Sequence, residues 1–321
     1  MTGRIPKVVV VGPTYVDMVV KCKEFPVPGS MAHGFGASCT PTGAGPNQAV
    51  EAALCDCDAA LISKVGEDPF GEMAKANLRR FRINTDLVYT ASAMSTGVIM
   101  TMVDSTGENL SCISAGANRA LSGDEIACAA AESLIGAADV CLISGDLPED
   151  AVITAIRIAE LHKTKIILQT PPQDHGITRA ADLDWPAEYY AVDVLIPNFY
   201  ALSEGAELGA GSAGELKLLA SELVAKGIGC VLIKLPPREV FIVDRCDTTH
   251  VPWFNLDIVD QTASADAFAG ALAASCAVGD EPQAAVKFAC AAGALAMAKF
   301  GGQDSLPKKT KIIELLQRQA D

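Results

Sequence analysis

The sequence predicts an α/β fold, with a doubly wound, mostly parallel β-sheet covered by helices on both faces and a small second β-sheet. Short apolar runs, at residues 8–11, 140–144 and 230–235, are separated by amphipathic segments of helical length. This alternation is typical of parallel strands that helices bury on both faces. Two other stretches, 18–42 and 96–114, alternate apolar and polar residues between glycine and proline breaks, as short strands do. We expect these two stretches to pair into the smaller sheet.

Length and composition fit one large domain. The chain has 321 residues, and 50% of them are hydrophobic, which is enough for a single large core. We predict one domain over residues 1–321, with a smaller part formed by about 13–42 and 96–114. The early apolar run ends at Gly12 and is too short to cross a membrane or to form the core of a signal peptide. A cytoplasmic protein is therefore expected.

The charge and the cysteines disfavour several classes of function. With 39 acidic residues against 25 basic ones, the formal net charge is −14, which disfavours nucleic acid or an anionic membrane as a partner. The 11 cysteines are scattered, and only Cys55 and Cys57 lie close together, without the second pair that a zinc site requires. We expect reduced, mostly buried thiols.

The stretch that most strongly indicates chemistry is 260–270, where a polar turn leads into an alanine-rich helix. The first N–H groups of a helix have no intrahelical partners and lie at the positive end of its dipole, so they can hold a phosphate. Asp266 lies in that first turn and can accept a proton from a hydroxyl that attacks a phosphoryl group. The alternative is an ordinary helix start, capped by Thr262 or Ser264.

Other candidate residues follow predicted strands and are expected at one edge of the sheet. Doubly wound sheets bind ligands at the carboxyl ends of their strands, where Asp17, Gly43, Asp146 and Asn198 are expected. Gly43 lets the backbone approach a ligand closely, and the Asn47 side chain can both donate and accept hydrogen bonds with sugar hydroxyls.

The stretch 260–270 resembles the DTTGAGDAFxG signature of the ribokinase family, also called the pfkB family of carbohydrate and nucleoside kinases. Three further segments resemble motifs of that family: 42–47 the GGxxxN signature, 65–71 the G-x-D-x-F-G turn, and 301–307 the G-A-Q-x-S-x-P tail. They follow in the family's order and span nearly the whole chain. The resemblance implies a ribokinase-like fold in which the smaller sheet is a lid over the sugar.

By this resemblance the protein is an ATP-dependent phosphotransferase acting on a hydroxymethyl group of a sugar or sugar-like compound, with a sugar or nucleoside as its small-molecule partner. ATP and Mg²⁺ are the implied cofactors, K⁺ near Asp260 is a further candidate, and the lid is a candidate surface for a homodimer. Asp266 is the implied catalytic base, and no metal ligand is assigned. The other implied site residues are Ala263, Ser264 and Ala265 at the anion hole, Asp17, Gly43, Asn47 and Asp146 at the substrate, and Asn198, Lys234 and Gly302 at the nucleotide.

The departures from the family pattern lie on the phosphate side. The glycines of GAGD are Ala263 and Ala265 here, and Ala201 replaces a glutamate near the phosphates. Pro236 and Pro237 replace a turn whose amides hold phosphates in the family. These changes predict weak activity or none, and they leave open a degenerate, non-catalytic protein of this fold that binds a sugar, a nucleoside or a protein. If the turn requires glycine, Ala263→Gly/Ala265→Gly is expected to raise activity at least about tenfold.

A glycine run at 209–214 matches G-x-G-x-x-G, but no strand leads directly into it and no acid follows at the spacing of dinucleotide sites. We interpret it as a flexible loop before a helix over 215–226, which disfavours a dinucleotide-dependent enzyme. The motifs do not distinguish a hexose, a pentose or a nucleoside as the phosphoryl acceptor.

Overall fold

The computed structural model describes residues 4–172, 183, 185–198, 210–235 and 239–318. The strands are β1 (Lys7–Val11), β2 (Tyr15–Cys22), β3 (Gly34–Thr42), β4 (Asp58–Gly66), β5 (Val88–Ala91), β6 (Gly97–Val103), β7 (Asn109–Ser114), β8 (Val140–Ser144), β9 (Lys165–Pro172), β10 (Val194–Asn198), β11 (Cys230–Leu235), β12 (Glu239–Asp244) and β13 (Thr248–Pro252). The helices are α1 (Ala44–Leu54), α2 (Pro69–Arg80), α3 (Gly123–Ile126), α4 (Ala129–Gly136), α5 (Glu149–His162), α6 (Ala210–Ala225), α7 (Ser264–Val278), α8 (Pro282–Met297) and α9 (Lys309–Arg318).

The larger sheet has the strand order β13-β12-β11-β10-β9-β8-β1-β4-β5 among the described residues. β1 lies inside it, with Val8 paired in parallel to Ala59 of β4 and to Val140 of β8. Antiparallel pairing in this sheet is confined, in the described part of the chain, to β12 and β13 at one edge. The prediction of a doubly wound, mostly parallel sheet is confirmed.

Helices cover both faces of the larger sheet because its inner strands are apolar on both sides. Val8 and Val10 face a core shared with α1, α2, α7, α8 and α9, whereas Val9 and Val11 face a core shared with α3, α4, α5 and α6. Successive side chains of a strand point to opposite faces, so this unbroken run of valines fills both cores.

The smaller sheet has the order β3-β2-β6-β7, with β2 and β6 parallel and the two outer pairs antiparallel. The two stretches predicted to pair therefore do so. Asp17 and Thr101 share one face, where the Thr101 hydroxyl donates to Asp17 Oδ1 over 3.0 Å. The opposite face, called the outer face below, borders an apolar groove of about 800 Å³. A row of sulphur-containing side chains crosses that face through Cys39, Met18, Met100 and Cys112.

Hydrogen bonds fix two points where the chain passes between the sheets. Before β2, the N–H of Thr14 donates to Asn118 Oδ1 and its carbonyl accepts from Asn118 Nδ2, both over 2.8 Å. Before β6, the N–H and the hydroxyl of Thr96 donate to the two carboxylate oxygens of Asp68, over 2.7 and 2.6 Å. Asp68 Oδ1 also accepts from the Gly71 N–H and caps α2. The turn at 65–71 is thus scaffold at the base of the smaller sheet.

Some sequence-based expectations are corrected. α6 begins at Ala210, so 210–214 is the start of a helix rather than the predicted loop, because glycine in a helix costs only about 1 kcal/mol. α1 begins at Ala44, before the predicted start at Asn47. The cysteines are free, but three of them are exposed, at Cys39, Cys112 and Cys246. In the described part of the chain no helix is long and apolar enough to span a bilayer.

Candidate active site

Close backbone contacts between glycines bring the start of α1 against the carboxyl end of β1. A Cβ on Gly12 would lie 2.6 Å from Gly45 Cα, closer than real side chains allow. Gly43 precedes α1 with a φ of 115°, a conformation that favours glycine. The first turn of α1 therefore lies at the edge of the sheet where this architecture binds ligands.

Asn47 and Gln48 of α1 both donate hydrogen bonds to Asp266 of α7. Asn47 Nδ2 lies 2.8 Å from Asp266 Oδ2, and Gln48 Nε2 lies 3.2 Å from Asp266 Oδ1. Asn47 Oδ1 is buried and accepts no hydrogen bond from the described residues, so it is available to a ligand hydroxyl. A predicted substrate residue and the predicted base are thus in direct contact.

The electrostatic surroundings of Asp266 combine burial with a nearby positive charge. Burial raises the pKa of the Asp266 carboxyl, while the hydrogen bonds from Asn47 and Gln48 and the charge of Lys234 oppose that rise. Burial lowers the pKa of Lys234, and the negative charge of Asp266 opposes this. The Lys234 ammonium lies 5.3 Å from the centre of the Phe268 ring. A carboxylate and an ammonium are therefore neighbours at the start of α7.

The start of α7 has no side-chain cap. Its N-cap is Ala263, and the helix proper begins at Ser264. The predicted alternative, a cap by Thr262 or Ser264, is wrong because the Thr262 hydroxyl donates to Asp260 Oδ1 over 2.5 Å and Ser264 already lies inside the helix. The Ser264 N–H donates to the Gln261 carbonyl over 3.2 Å.

Two amides of the first turn are the ones available to an anion. The N–H groups of Ala265 and Asp266 have no intrahelical acceptor. Ala263 has φ −98° and ψ 3°, and Ala265 lies within the helix, so neither alanine occupies a backbone conformation that requires glycine. The premise that this turn needs glycine is therefore not met.

Asp17 and Asp146, the two acidic residues predicted to contact the substrate, have different partners. Burial raises the pKa of Asp17, and the hydrogen bond from Thr101 opposes that rise. Partial burial raises the pKa of Asp146, and the Arg119 guanidinium opposes it. Burial and the Asp146 charge raise the pKa of Tyr15, at the start of β2, to about 12. Asp146 therefore lies in a small polar cluster with Tyr15 and Arg119.

Gly302 lies beside the residues at the start of α1. A Cβ on Gly302 would lie 3.9 Å from Thr42 Oγ1, which accepts a hydrogen bond from Asn47 Nδ2 over 3.4 Å. The N–H of Gly301 donates to Asp260 Oδ2 over 3.0 Å. The tail motif and the turn before α7 are thus joined, and both border the same region.

Sequence reasoning missed several residues of this region. Gln48 is one, although it follows Asn47 in the same motif. Gln169 is another, and no local signal marks it because the Gln48 side chain that it binds is 121 residues away. Thr101 and Arg119 are also absent from the predicted site, since their partners come from other strands and loops.

Some predicted features cannot be placed. The Asn198 side chain and residues 199–209 and 236–238, which include Ala201, lie outside the described residues. Within the described ranges no group of three or more His, Cys, Asp or Glu residues could hold a metal ion. Asp260, near which K⁺ was predicted, uses both carboxylate oxygens in hydrogen bonds to Thr262 and Gly301. No metal ligand is therefore assigned among the described residues, and no catalytic step is assigned to a metal.

Comparison with known proteins decides the family. Residues 5–309 match the family model described as pfkB family carbohydrate kinase. The chain belongs to this family. The resemblance carried by the motifs is thereby confirmed, and the protein is a carbohydrate kinase.

Curated relatives of this pfkB kinase are ribokinases and deoxyribokinases. It is 30% identical to a bifunctional ribokinase/ribose-5-phosphate isomerase A of Fructilactobacillus sanfranciscensis, with 97% of the chain aligned but only 56% of that longer protein. It is 28% identical to a ribokinase of Haemophilus influenzae, covering 96% of this chain and 97% of the relative. It is 26% identical to a deoxyribokinase of Salmonella typhi, covering 96% of this chain and 98% of the relative.

Solved structures confirm that the fold of this pfkB kinase is ribokinase-like. A ribokinase of Thermotoga maritima superposes with a TM-score of 0.81 at 25% identity, covering 98% of this chain and 100% of that one. A ribokinase of Arabidopsis thaliana, solved with ribose and ATP, superposes with a TM-score of 0.84 at 22% identity, covering 98% and 99%. This last similarity establishes the fold alone.

Proposed function

We propose that this pfkB carbohydrate kinase is an ATP-dependent phosphotransferase that acts on a hydroxymethyl group of a sugar. The observation that carries the proposal is the setting of Asp266. It lies at an uncapped helix start, accepts a hydrogen bond from Asn47 and has the Lys234 ammonium nearby. Phosphoryl transfer needs a base, anion-binding donors and positive charge in one place, and this small region offers all of them.

In the proposed mechanism Asp266 is the base. Asn47 Oδ1 accepts a hydrogen bond from a sugar hydroxyl, which holds the sugar beside the carboxylate. Asp266 then accepts the proton of the hydroxyl that attacks the γ-phosphoryl group of ATP. The first amides of α7, at Ala265 and Asp266, donate to the phosphoryl oxygens as negative charge develops there.

We assign sugar binding to the predicted substrate residues and nucleotide binding to the phosphate side. Asp17 and Asp146 accept hydrogen bonds from sugar hydroxyls, and Gly43 allows a close backbone approach. Lys234 supplies positive charge to the phosphates in place of the family's glycine-rich turn, because Pro236, Pro237 and Arg238 stand where that turn would be. Asn198 and Gly302 belong to the same proposed nucleotide site.

We also propose that the smaller sheet is a lid and that its outer face binds a second copy of the chain. Met100 is 61% exposed and Leu110 54% exposed on the two strands at the groove. Exposed apolar faces of this kind are typical of interfaces. Size-exclusion chromatography with light scattering tests this, because Met100→Lys/Leu110→Lys should convert a dimer to a monomer. A native monomer at micromolar concentration would contradict the proposal.

A non-catalytic binding protein is the second candidate. It is favoured by one observation, that both carboxylate oxygens of Asp266 already accept hydrogen bonds within the protein. Against it, an ionised carboxylate has about four acceptor positions, so two hydrogen bonds leave room for a substrate hydroxyl.

The test begins with a thermal-shift screen of D-ribose, 2-deoxy-D-ribose, D-fructose and adenosine, each with and without ATP and Mg²⁺. ADP release is then measured with every compound that stabilises the protein. We expect turnover that Asp266→Asn lowers by about 10²–10⁴, because a positioned general base contributes that factor. Binding of a sugar without ADP release from the native chain would favour the non-catalytic candidate.

A further inference from the structure

Gln48 is a fully buried glutamine that joins two parts of the site. Its side chain is 0% exposed, next to Asn47 in the first half of α1. Its Nε2 donates to Asp266 Oδ1 over 3.2 Å and to Gln169 Oε1 over 2.7 Å. Both hydrogens of one amide are therefore used, one on the base and one on the larger sheet.

Gln169, which accepts one of the two Gln48 hydrogen bonds, lies on a well-held strand of the larger sheet. It lies in β9 between two parallel neighbours, in register with Ser144 of β8 and with Ile196 of β10. Its carbonyl also accepts the N–H of Gly145 over 2.8 Å. The Gln169 side chain thus extends from a backbone that hydrogen bonds hold on both sides, and its Oε1 sets the direction of the Gln48 amide.

The two hydrogen bonds on Asp266 have different consequences. Asn47 holds Oδ2 and also has an acceptor atom available to a ligand, so it serves both base and sugar. Gln48 holds Oδ1 and is itself bonded to Gln169, while its Oε1, like Asn47 Oδ1, is buried without a hydrogen bond from the described residues. A carboxylate held at both oxygens cannot rotate about its terminal bond, so its remaining acceptor directions are fixed.

We propose that Gln48 is a positioning residue for phosphoryl transfer, which orients the Asp266 carboxylate and is itself oriented by Gln169. This inference rests on the proposed function, in which Asp266 is the base. Gln48 touches no reacting atom; it acts by holding one carboxylate oxygen, so that the other directions point at the incoming hydroxyl.

The same hydrogen bond also affects the protonation of Asp266. A donor to a carboxylate favours the ionised form, and burial favours the protonated form. In the described part of the chain, the charged side chain that acts on Asp266 is Lys234 of β11, and Cys290 of α8 lies near that lysine. Removing the Gln48 donor, with these groups unchanged, should therefore raise the pKa of Asp266.

The first experiment measures protonation directly and needs no turnover. The carboxyl carbon of Asp266 is followed by ¹³C NMR across a pH titration, and Asp266→Asn identifies its signal. We expect Gln48→Met, which keeps the length and removes the amide, to raise the titration midpoint by about one pH unit. Gln169→Met should raise the titration midpoint of Asp266 by less, because the Gln48 donor remains but loses the hydrogen bond that orients it.

The second experiment separates binding from catalysis, with ATP and D-ribose or another sugar that the thermal screen identifies. Gln48→Met should lower kcat about tenfold, shift the acid limb of kcat/KM to higher pH, and leave the KM for the sugar within about twofold. Thr164→Val is the matched control. It removes a buried hydrogen bond of 2.9 Å to the Ile135 carbonyl just before β9, at the other end from Gln169, and should change neither kcat nor the acid limb.

The outcomes distinguish this inference from the proposed function. If Asp266→Asn is inactive but Gln48→Met and Gln169→Met keep the native kcat, acid limb and NMR midpoint, the positioning role is wrong and the proposed function stands. If Asp266→Asn keeps native activity, the proposed base is wrong and the role of Gln48 falls with it. Should Gln48→Met fail to fold, Gln169→Met decides, because its side chain is only partly buried.

Discussion

Gly270 of α7 packs directly on Glu51 of α1, where an added Cβ would lie 2.7 Å from Glu51 Cβ. The same Cβ would lie 2.6 Å from the backbone oxygen of Gln48. No side chain separates the two helices at this point, one turn of α7 after Asp266. The distance between α1 and α7 therefore controls the hydrogen bonds that Asp266 receives.

Gly270→Ala should push the helices apart. We expect the free energy of unfolding to fall by about 1–3 kcal/mol, as overpacking in a core does, and kcat to fall about tenfold or more as Asp266 moves from its donors. Urea unfolding and steady-state kinetics measure the two effects. Gly214→Ala in α6 is the control, since nothing lies within 4 Å of its added Cβ. If both variants lose kcat equally, the distance between α1 and α7 is not the cause.

Glu51 should make stability depend on pH. Burial raises the pKa of the Glu51 carboxyl well above the ordinary value of a glutamate, and the hydrogen bond from Cys55 opposes this only in part. The unfolded chain therefore loses its proton at lower pH than the folded one, and stability falls as pH rises from about 4.5 through the folded pKa. Glu51→Gln, which stays neutral, should flatten this decline. Thermal unfolding of both proteins between about pH 5 and about pH 8 measures it, and parallel curves would contradict a protonated Glu51.

Lys234→Met should affect both Asp266 and the phosphoryl donor. The lysine's positive charge lowers the pKa of Asp266, so its removal should raise that pKa and move the acid limb of kcat/KM to higher pH. It should also raise the KM for ATP about tenfold, because a charged contact to phosphate is lost. The control is Lys217→Met, which removes an ammonium lying over Phe241 instead. If Lys234→Met changes neither the acid limb of kcat/KM nor the KM for ATP, Lys234 has no role in the proposed site.

Asp17→Ala should weaken sugar binding without preventing nucleotide binding. A hydrogen bond to a charged acceptor contributes about 1.5–3 kcal/mol, which corresponds to a loss of affinity of about tenfold to a hundredfold. Isothermal titration calorimetry with the sugar found by the thermal screen gives this number, and a parallel titration with ATP gives the comparison. Asp58→Ala removes an exposed carboxylate at the opposite end of the larger sheet and should bind as the native chain does. If Asp17→Ala binds the sugar as tightly as the native chain does, Asp17 is not part of the sugar site.

Ala263→Gly/Ala265→Gly should not raise activity. Neither alanine has a positive φ, since Ala263 has φ −98° and Ala265 lies inside the helix, so glycine adds freedom without improving the position of the amides. We expect turnover within about threefold of the native value and a loss of stability of about 1–2 kcal/mol, since glycine disfavours the helix start. A rise of tenfold or more would restore the hypothesis that the anion hole requires glycine.

Much of the larger sheet could be predicted because its inner strands are apolar runs with clear ends. β8 and β11 begin and end at the predicted residues, 140–144 and 230–235. The starts of α1 and α6 could not be predicted from the sequence. Glycine and alanine give little amphipathic signal there, and glycine suggests a loop. The helices formed there nevertheless, since packing on the sheet stabilises helices whose own propensity is modest.

The sequence predicted two residues that the structure brings together, Asn47 and Asp266, but it did not predict their contact. Family motifs brought Asn47 and Asp266 to one region, but the hydrogen bond between them joins residues 219 apart and depends on the spacing of two helices. The Gln48 to Gln169 contact depends further on the order of strands, since β9 must lie near β1 for the side chains to meet. A single sequence carries no record of such distances.

The hydrogen bonds of Thr14 to Asn118 and of Thr96 to Asp68 also limit how the two sheets can move. The smaller sheet therefore cannot slide sideways on the larger one without breaking one of these pairs. Asp17 lies close to the first of them, whereas the turn between β6 and β7 lies at the far end of β6 from Thr96.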